Sequence, residues 1–207
     1  MSLAVTRGQR LRASSHLPAD TVDRSFLARR LHRNSVTLVS AHPRADFLGN
    51  DDLVASFAQA KGFTGDDLAI LRICIGTTRY TLICVPEQVW HARKFDLLEL
   101  KSMAAFAGRN SVLVPEGAIQ RQPRLGTARV IEDAFGVSVT LEQRMAVLIH
   151  IIECGGTSSI MDCACAIDHE QPFSAVIHLV GLGVLTMNAN AALTPHSLVR
   201  LPSAAMA

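Results

Sequence analysis

The sequence predicts an α/β protein, in which a mixed sheet flanked by helices precedes a smaller, mainly helical C-terminal unit. Apolar runs rich in strand-forming residues cluster between positions 68 and 114, and segments with helical character interrupt and follow them. From about Gly136 onwards the apolar residues recur mainly at helical spacing. The chain has 207 residues, 49% hydrophobic and 18% charged, which is enough apolar material to bury a core.

Residues 1–34 are predicted to form a flexible basic arm, with a short helix at 22–32. They contain seven arginines and two aspartates, whereas the rest of the chain has 13 basic and 16 acidic residues. The overall net charge of +2 therefore conceals a positive N-terminal segment. Arginine makes forked contacts to phosphate, but genomic base composition can also enrich arginine.

Residues 35–135 are predicted to form the α/β unit. A short apolar run at 36–40 is followed by a loop at 43–50. Asp51 and Asp52 then favour the start of a helix that ends before Gly62, because carboxylates stabilise a helix N-terminus.

The strands of this unit are predicted from three apolar patterns and a short run. The runs 68–75 and 79–85 predict a β-hairpin, and the alternating pattern of 95–101 predicts a third strand. A helix at 102–108 and a strand at 111–114 complete the order helix, three strands, helix, strand.

Residues 136–207 are predicted to form a small winged-helix domain. Thr140 caps a first helix, a second short helix covers 160–167, and a third runs from Pro172 to about Leu182. Strand-forming runs follow, and three helices followed by a β-hairpin are typical of a winged helix. The alternative is a small helical cap packed on the α/β unit.

The candidate chemistry lies in Glu99-Leu100-Lys101, at the end of the predicted third strand. Residues two apart in a strand face the same side, so this carboxylate and this lysine would project together. A carboxylate offers oxygen ligands to Mg²⁺, and a lysine can orient water or stabilise negative charge during phosphodiester hydrolysis. The alternative is that both residues are solvent-facing members of an edge strand.

This order of elements, with acid-x-Lys on the third strand, resembles the PD-(D/E)XK nuclease class. More specifically, the sequence is similar to the TnsA-type transposon endonucleases over residues 50–202. The similarity rests on Arg79-Tyr80-Thr81, on the segments 97–101, 114–119 and 121–125, and on the tail around Gly183-Val184-Leu185. It implies a Mg²⁺-dependent DNA endonuclease that works with a transposase or integrase partner. Glu99 would be a metal ligand and Lys101 the catalytic lysine.

The sequence departs from this family at a second acid of the metal site. The family has an Asp near the start of its second strand, in a Tyr-x-Pro-Asp context, whereas Leu82 and Ile83 follow Arg79-Tyr80-Thr81 here. Asp96 or Glu87 could supply the second carboxylate. An inactive relative of the family is therefore an alternative to an active nuclease.

Basic residues around the predicted site indicate a DNA-binding surface. Residues 79–129 contain eight basic and four acidic groups. The candidates for phosphate contacts are Arg79, Arg93, Lys94, Arg121 and Arg124. Residues 141–207 contain five acids and two bases, so the tail is better suited to a protein partner. A non-enzymatic winged-helix DNA-binding protein and a ligand-sensing transcription regulator remain alternatives.

The sequence also predicts a cytoplasmic protein that does not enter the membrane. No apolar run reaches the roughly 18 residues of a spanning helix, and the basic N-terminus has no apolar signal segment. The five cysteines form an odd set, which favours reduced thiols. Cys163-Ala-Cys165 has no second cysteine pair with which to complete a zinc site.

Overall fold

The computed structural model describes residues 24–202 and forms two sheets with helices packed around them. The helices are α1 (Arg24–Ser40), α2 (Asp52–Ala60), α3 (Glu87–Ala92), α4 (Lys94–Phe106), α5 (Glu116–Ile119), α6 (Arg124–Asp133), α7 (Leu141–Glu153), α8 (Ile160–Cys165) and α9 (Pro172–Gly181). The strands are β1 (Ala45–Asn50), β2 (Ala69–Ile75), β3 (Thr78–Val85), β4 (Ser111–Pro115), β5 (Thr157–Ser159), β6 (Thr186–Met187) and β7 (Leu198–Arg200).

The larger sheet has four strands in the spatial order β1-β2-β3-β4. β1, β2 and β3 are antiparallel neighbours, whereas β4 runs parallel to β3 after the crossover through α4. A two-residue turn at Gly76 and Thr77 joins β2 to β3, and Gly76 has a φ of 60° that favours glycine. The sheet is therefore an antiparallel meander extended by one parallel strand.

Both faces of this sheet are covered, which explains why most of β2 and the C-terminal half of β3 are apolar on both sides. On one face, Leu31 of α1 and Ile119 of α5 pack against Leu71 and Cys84. The opposite face packs against α2 and α4, through a cluster of buried residues that includes Val54, Ile83, Val85, Leu97 and Leu100. The result is a three-layer α/β/α arrangement.

The C-terminal helices surround a second core, beside the three-stranded sheet β5-β7-β6. Val147 and Ile151 of α7, Leu179 of α9 and Val199 of β7 are fully or nearly fully buried there. Ile131 of α6 belongs to the same core. The two parts of the structure are thus joined by apolar packing as well as by the chain.

Most of the predicted elements are confirmed. The structure contains the β2–β3 hairpin, a helix starting after Asp51, the strand at 111–114, and helices at the three predicted places beyond Thr140. The mixed sheet flanked by helices also agrees with the predicted α/β class. Strand β5 was not predicted, because 157–159 resembles the start of α8.

Two short predicted segments, 36–40 and the loop at 43–50, are wrong. Residues 36–40 form the last part of α1, because α1 packs along the sheet and tertiary burial outweighs the strand preference of Val and Thr. Residues 45–50 form the bulged edge strand β1 instead of a loop. Within the predicted arm, the short helix expected at 22–32 is confirmed from residue 24 onwards as the first part of α1, which continues to Ser40; residues 1–23 lie outside the described part of the chain.

The error with the largest consequence concerns 95–101, which lie inside α4 and do not form a strand. Leu97, Leu100 and Ala104 are buried at helical spacing and pack on the sheet. Over the seven residues 95–101 the alternation of apolar and polar side chains resembles a strand. The helical period becomes visible only over the full length of α4. The predicted order helix, three strands, helix, strand is not continuous in the structure: α2 lies between β1 and β2, and both α3 and α4 lie between β3 and β4. The third strand in the chain is β3.

Candidate functional site

Glu99 and Lys101 lie on α4 and do not share a face. Residues two apart in a helix point about 200° away from each other, in contrast to the shared side that a strand would give them. The Glu99 carboxylate pairs with the ammonium of Lys61, the residue that follows α2. Lys101 is exposed. The expected joint projection of a carboxylate and a lysine is therefore wrong, because it depended on the strand.

Asp96 and Arg93 form a local pair at the start of α4. The Arg93 Nε–H donates to Asp96 Oδ2 at 2.8 Å. Its two terminal nitrogens donate to the carbonyl oxygens of Lys61 and Gly62, and the guanidinium carbon lies 3.7 Å from the Phe63 ring centroid. Arg93 thus ties the end of α2 to α4, and its hydrogen-bonding capacity is used within the protein.

These residues do not fit the Mg²⁺ site that the resemblance implies. Glu99 and Asp96 each already have a cationic partner, and a magnesium site needs several free oxygen ligands. Within residues 24–202, no group of three His, Cys, Asp or Glu side chains is placed to hold a metal ion. Glu87, the other suggested ligand, pairs with His91 at 2.8 Å.

The third strand of the sheet carries neither an acid nor a lysine. Its C-terminal half contains Ile83, Cys84 and Val85, all of them buried. The second strand begins at Ala69, two residues after Asp67. Asp67 Oδ2 accepts hydrogen bonds from the amide and the hydroxyl of Thr64, each at 2.8 Å, so this carboxylate closes a turn. The positions that the family pattern reserves for chemistry are therefore apolar or structural.

A cleft of about 940 Å³ lies at the β1 edge of the sheet. It is bounded by α1, α2 and α6, by Leu68, and by Ala69 and Ile70 at the start of β2. Its charged lining has both signs: Arg29, Arg33 and Arg129 are accompanied by Asp52, Asp66, Glu132 and Asp133. The sequence did not indicate this cleft, because its walls come from segments more than 100 positions apart.

One wall of the cleft is fixed by polar contacts. Arg129 of α6 donates from Nη2 to Oδ1 of the buried Asn34 at 3.0 Å. On the same helix α1, His32 Nε2 lies 3.3 Å from Asn50 Oδ1, and its ring makes an edge contact with Phe47. These contacts hold α1 between α6 and the edge strand β1.

A buried carboxylate, that of Asp51, lies on the face of the sheet that packs against α2 and α4. Asp51 is 1% exposed and caps α2, with its Oδ1 accepting from the Val54 amide at 3.3 Å. Its Oδ2 accepts from the Thr81 hydroxyl at 2.7 Å and lies 3.6 Å from Arg109 Nε. That Arg109 atom is buried and has no hydrogen-bond partner among the described residues. The sequence predicted the helix start at Asp51, but it contained no signal for these distant partners.

The other predicted phosphate-binding residues are exposed but lie on separate elements. Arg79 is the second residue of β3, Lys94 begins α4, and Arg121 precedes α6. Arg124, in the first turn of α6, lines a pocket of about 290 Å³ together with Arg200. Arg124 and Arg200 thus line one pocket, although they are 76 positions apart in the sequence.

The buried thiols are poor candidates for chemistry. Burial raises the pKa of Cys84 to about 11, an effect that the hydrogen bond from Ser35 partly offsets. Burial likewise raises the pKa of Cys163. Because the thiolate is the reactive form, both side chains act as small apolar residues of the core.

Comparison with known proteins adds no assignment: no protein-family model matches the chain, and no curated protein is significantly similar to it. Among the described helices, none has the length and apolar character required to cross a bilayer.

Proposed function

We propose that this chain is a non-catalytic relative of the TnsA-type endonucleases, which binds DNA as an accessory to a transposase or integrase partner and does not cut DNA itself. Two features of the fold support the relationship. Apart from the additional helices α2 and α3, the chain order α1-β1-α2-β2-β3-α3-α4-β4 agrees with the helix, three strands, helix, strand order of the nuclease class, and β4 is parallel to β3. The C-terminal part has three helices and the sheet order β5-β7-β6, which agrees with a winged helix.

The observation that carries the non-catalytic proposal is the content of β3. In the resembling family the third strand presents acid-x-Lys, whereas here the strand ends in buried Ile83, Cys84 and Val85. A metal ion could not be held at these positions, because they offer no charged oxygen ligand. The acid-x-Lys triplet of the sequence lies on α4, where Glu99 and Lys101 point apart.

Plasmid nicking tests the lack of cleavage. Supercoiled DNA is incubated with the wild type, Lys101→Ala and Glu99→Gln, in the presence of Mg²⁺ or Mn²⁺. We expect no nicking above buffer for any of the three proteins. Metal-dependent nicking by the wild type that is lost in Lys101→Ala would overturn the proposal and restore the nuclease.

Exposed arginines outside the catalytic positions support a DNA contact. Arg79, Arg121 and Arg124 are exposed, and none of them forms an ion pair with a described residue. Free guanidinium groups can neutralise phosphates and release counterions. In contrast, Arg93 is engaged inside the protein and is removed from the set of DNA contacts.

DNA affinity tests this part of the proposal. Binding of a fluorescein-labelled duplex is followed by anisotropy at several salt concentrations, for the wild type, the double variant Arg121→Ala/Arg124→Ala, and Arg144→Ala as a matched control on α7. We expect the double variant to bind more weakly and to reduce the salt slope by about 2. Absence of binding by the wild type, or equal losses in control and double variant, would contradict the proposal.

A second candidate function, a ligand-responsive regulator, is favoured by the pocket that contains Arg124. This pocket lies between α1 and α6 on one side and β6 and β7 on the other, and Leu38, Ile131 and Leu185 contribute apolar lining. Arg200 and His42 add polar groups. Apolar walls with few polar groups suit an organic carboxylate with an apolar body.

Thermal shift with short aliphatic and aromatic carboxylates tests this candidate. Stabilisation by such a ligand that Arg124→Ala removes and Arg121→Ala retains would favour the regulator. An unchanged melting temperature across the carboxylates would exclude this use of the pocket.

A further inference from the structure

Helix α4 has a second apolar face that the fold does not use. Phe95 is 84% exposed, Phe106 is 96% exposed and Leu98 is 47% exposed. The core needs only the opposite face, where Leu97 and Leu100 are buried. A helix that packs on a sheet needs one apolar stripe, so folding does not account for two nearly fully exposed phenyl rings.

The exposed apolar side chains are aligned along one side of α4. At about 100° per residue, Phe106 lies about 20° around the helix from Phe95 and about 16 Å further along it. Leu98 lies about 60° from Phe95, one turn along the same side. Phe106 lies eight residues beyond Leu98, and Ser102 and Ala105 occupy the intervening positions on this side of the helix. We name Phe95, Leu98 and Phe106 the α4 apolar face.

Lysines border the α4 apolar face on one flank. Lys94 and Lys101 are exposed, and their seven-residue separation places them on nearly the same line along α4. Neither ammonium group has an ion-pair or hydrogen-bond partner in the part of the chain that the structure describes. On the other flank, Glu99 is neutralised by Lys61 and Asp96 by Arg93. The α4 apolar face is therefore bordered by the two unpaired positive charges of Lys94 and Lys101, whereas the acids on its other flank are neutralised.

We propose that the α4 apolar face docks an acidic amphipathic helix of a partner protein. Apolar residues of that helix would cover Phe95, Leu98 and Phe106, and carboxylates along its edge would pair with Lys94 and Lys101. Packing between helices uses this three- and four-residue spacing, and exposed aromatic anchors are typical of binding hot spots. The partner is thus defined by two features, an apolar stripe and an acidic flank.

Two other occupants fit the face less well. Bases of a single strand stack at successive short steps, whereas the two phenyl rings are about 16 Å apart. A second copy packed antiparallel about a two-fold axis would place the lysine flank against itself and bring like charges together. The acidic helix satisfies both the spacing and the charge.

The test uses synthetic helical peptides, which are fluorescein-labelled and 18 residues long. One peptide has leucines along one side and glutamates along the adjacent edge, and a second has lysines in place of the glutamates. Anisotropy is measured for the wild type and for Phe95→Ser/Phe106→Ser. We expect the wild type to prefer the acidic peptide by at least about tenfold, and the double serine variant to lose at least about tenfold in affinity for it.

A charge-reversal variant distinguishes this contact from non-specific hydrophobic binding. Lys94→Glu/Lys101→Glu should prefer the lysine peptide over the glutamate peptide, because the attractive pairs are then reversed. Leu141→Ser is the matched control, since Leu141 is an apolar residue of α7 with 73% exposure, and this variant should bind like the wild type. Circular dichroism and thermal melting establish that each variant is folded.

Several outcomes would overturn the proposal. These are equal affinity of the wild type for both peptides, an unchanged affinity in the double serine variant, and self-association or single-strand DNA binding that the same serines abolish. The inference does not depend on duplex binding. A wild type that binds duplex DNA but neither peptide would contradict the docking face alone, whereas a wild type that binds the acidic peptide but no duplex DNA would contradict the DNA function alone.

Discussion

The hydroxyl of Thr81 donates a 2.7 Å hydrogen bond to the buried carboxylate of Asp51, and this contact joins strand β3 to the start of helix α2. The same carboxylate caps α2 through the Val54 amide and faces Arg109 Nε. A buried carboxylate is costly unless hydrogen-bonded, so its partners are needed for stability. Asp51 therefore has a structural role in the α/β core.

The first prediction concerns this contact. Asp51→Ala should lower the free energy of unfolding by about 2–4 kcal/mol. The substitution removes the cap of α2 and leaves the Val54 amide and the Thr81 hydroxyl without their acceptor. Thr81→Val should cost about 1–2 kcal/mol. Urea denaturation of both single variants and the double variant measures the coupling. Strictly additive effects would show that the two side chains act independently.

The second prediction concerns pH. Because the pKa of Cys84 is raised from 9.0 to about 11 in the folded state, the unfolded chain loses this proton first. The stabilisation is complete below about pH 9 and should be lost as the pH rises towards 11, by about 2–3 kcal/mol in total. Cys84→Ala should show a smaller fall in unfolding free energy over this range than the exposed-site control Cys154→Ala.

The third prediction concerns thiol reactivity. Cys154 and Cys165 are exposed, so an alkylating reagent at pH 8 should modify them quickly in the folded protein. Cys84 and Cys163 should react only after addition of denaturant, because they are buried and their pKa values are raised. Mass spectrometry of the modified peptides gives the order. Early labelling of Cys84 would contradict its place in the core.

The fourth prediction concerns Gly181, at the end of α9. A Cβ at this position would lie 2.8 Å from a ring carbon of Phe135 and 2.9 Å from Ile131 Cγ2. Gly181→Ala should therefore destabilise the protein by about 1–3 kcal/mol through overpacking between α9 and α6. Gly65→Ala, where no atom lies within 4 Å of the added Cβ, is the matched control and should stay within about 0.5 kcal/mol of the wild type.

The fifth prediction concerns magnesium. A ligand that binds the folded state raises its stability, so millimolar Mg²⁺ would raise the melting temperature if Glu99 and Asp96 held the ion. We expect no such rise, because both carboxylates are paired with cations of the protein. Glu99→Gln should in turn cost less than about 1 kcal/mol, the ordinary value for a surface ion pair. A Mg²⁺-dependent shift that Glu99→Gln removes would refute this view.

The sequence predicted the elements whose local signals were unambiguous. The β2–β3 hairpin has a glycine turn between two apolar runs, and α7 starts with a complete capping box at Thr140 and Gln143. The helix after Asp51 was predicted from carboxylates at its start, and the structure confirms that cap. In each case the residues that define the element are neighbours in the chain.

The candidate site could not be predicted in the same way. Glu99 and Lys101 share a side only in a strand, and the choice between strand and helix for 95–101 depends on burial of Leu97, Leu100 and Ala104 against β3. The sequence fitted both alternatives over seven residues. The cleft beside β1 was also missed, since α1, α2 and α6 meet there only after folding.

By itself, then, the sequence determined the α/β class, the hairpin, the capped helices and the uneven distribution of charge, because these depend on residues a few positions apart. Tertiary structure alone decided that α1 and α4 are helices across 36–40 and 95–101, and that the third strand is the apolar β3. It also decided that Phe95 and Phe106 face solvent together. The physical reason is that side-chain direction follows from secondary structure, and burial against distant strands selects that structure wherever local preference is balanced.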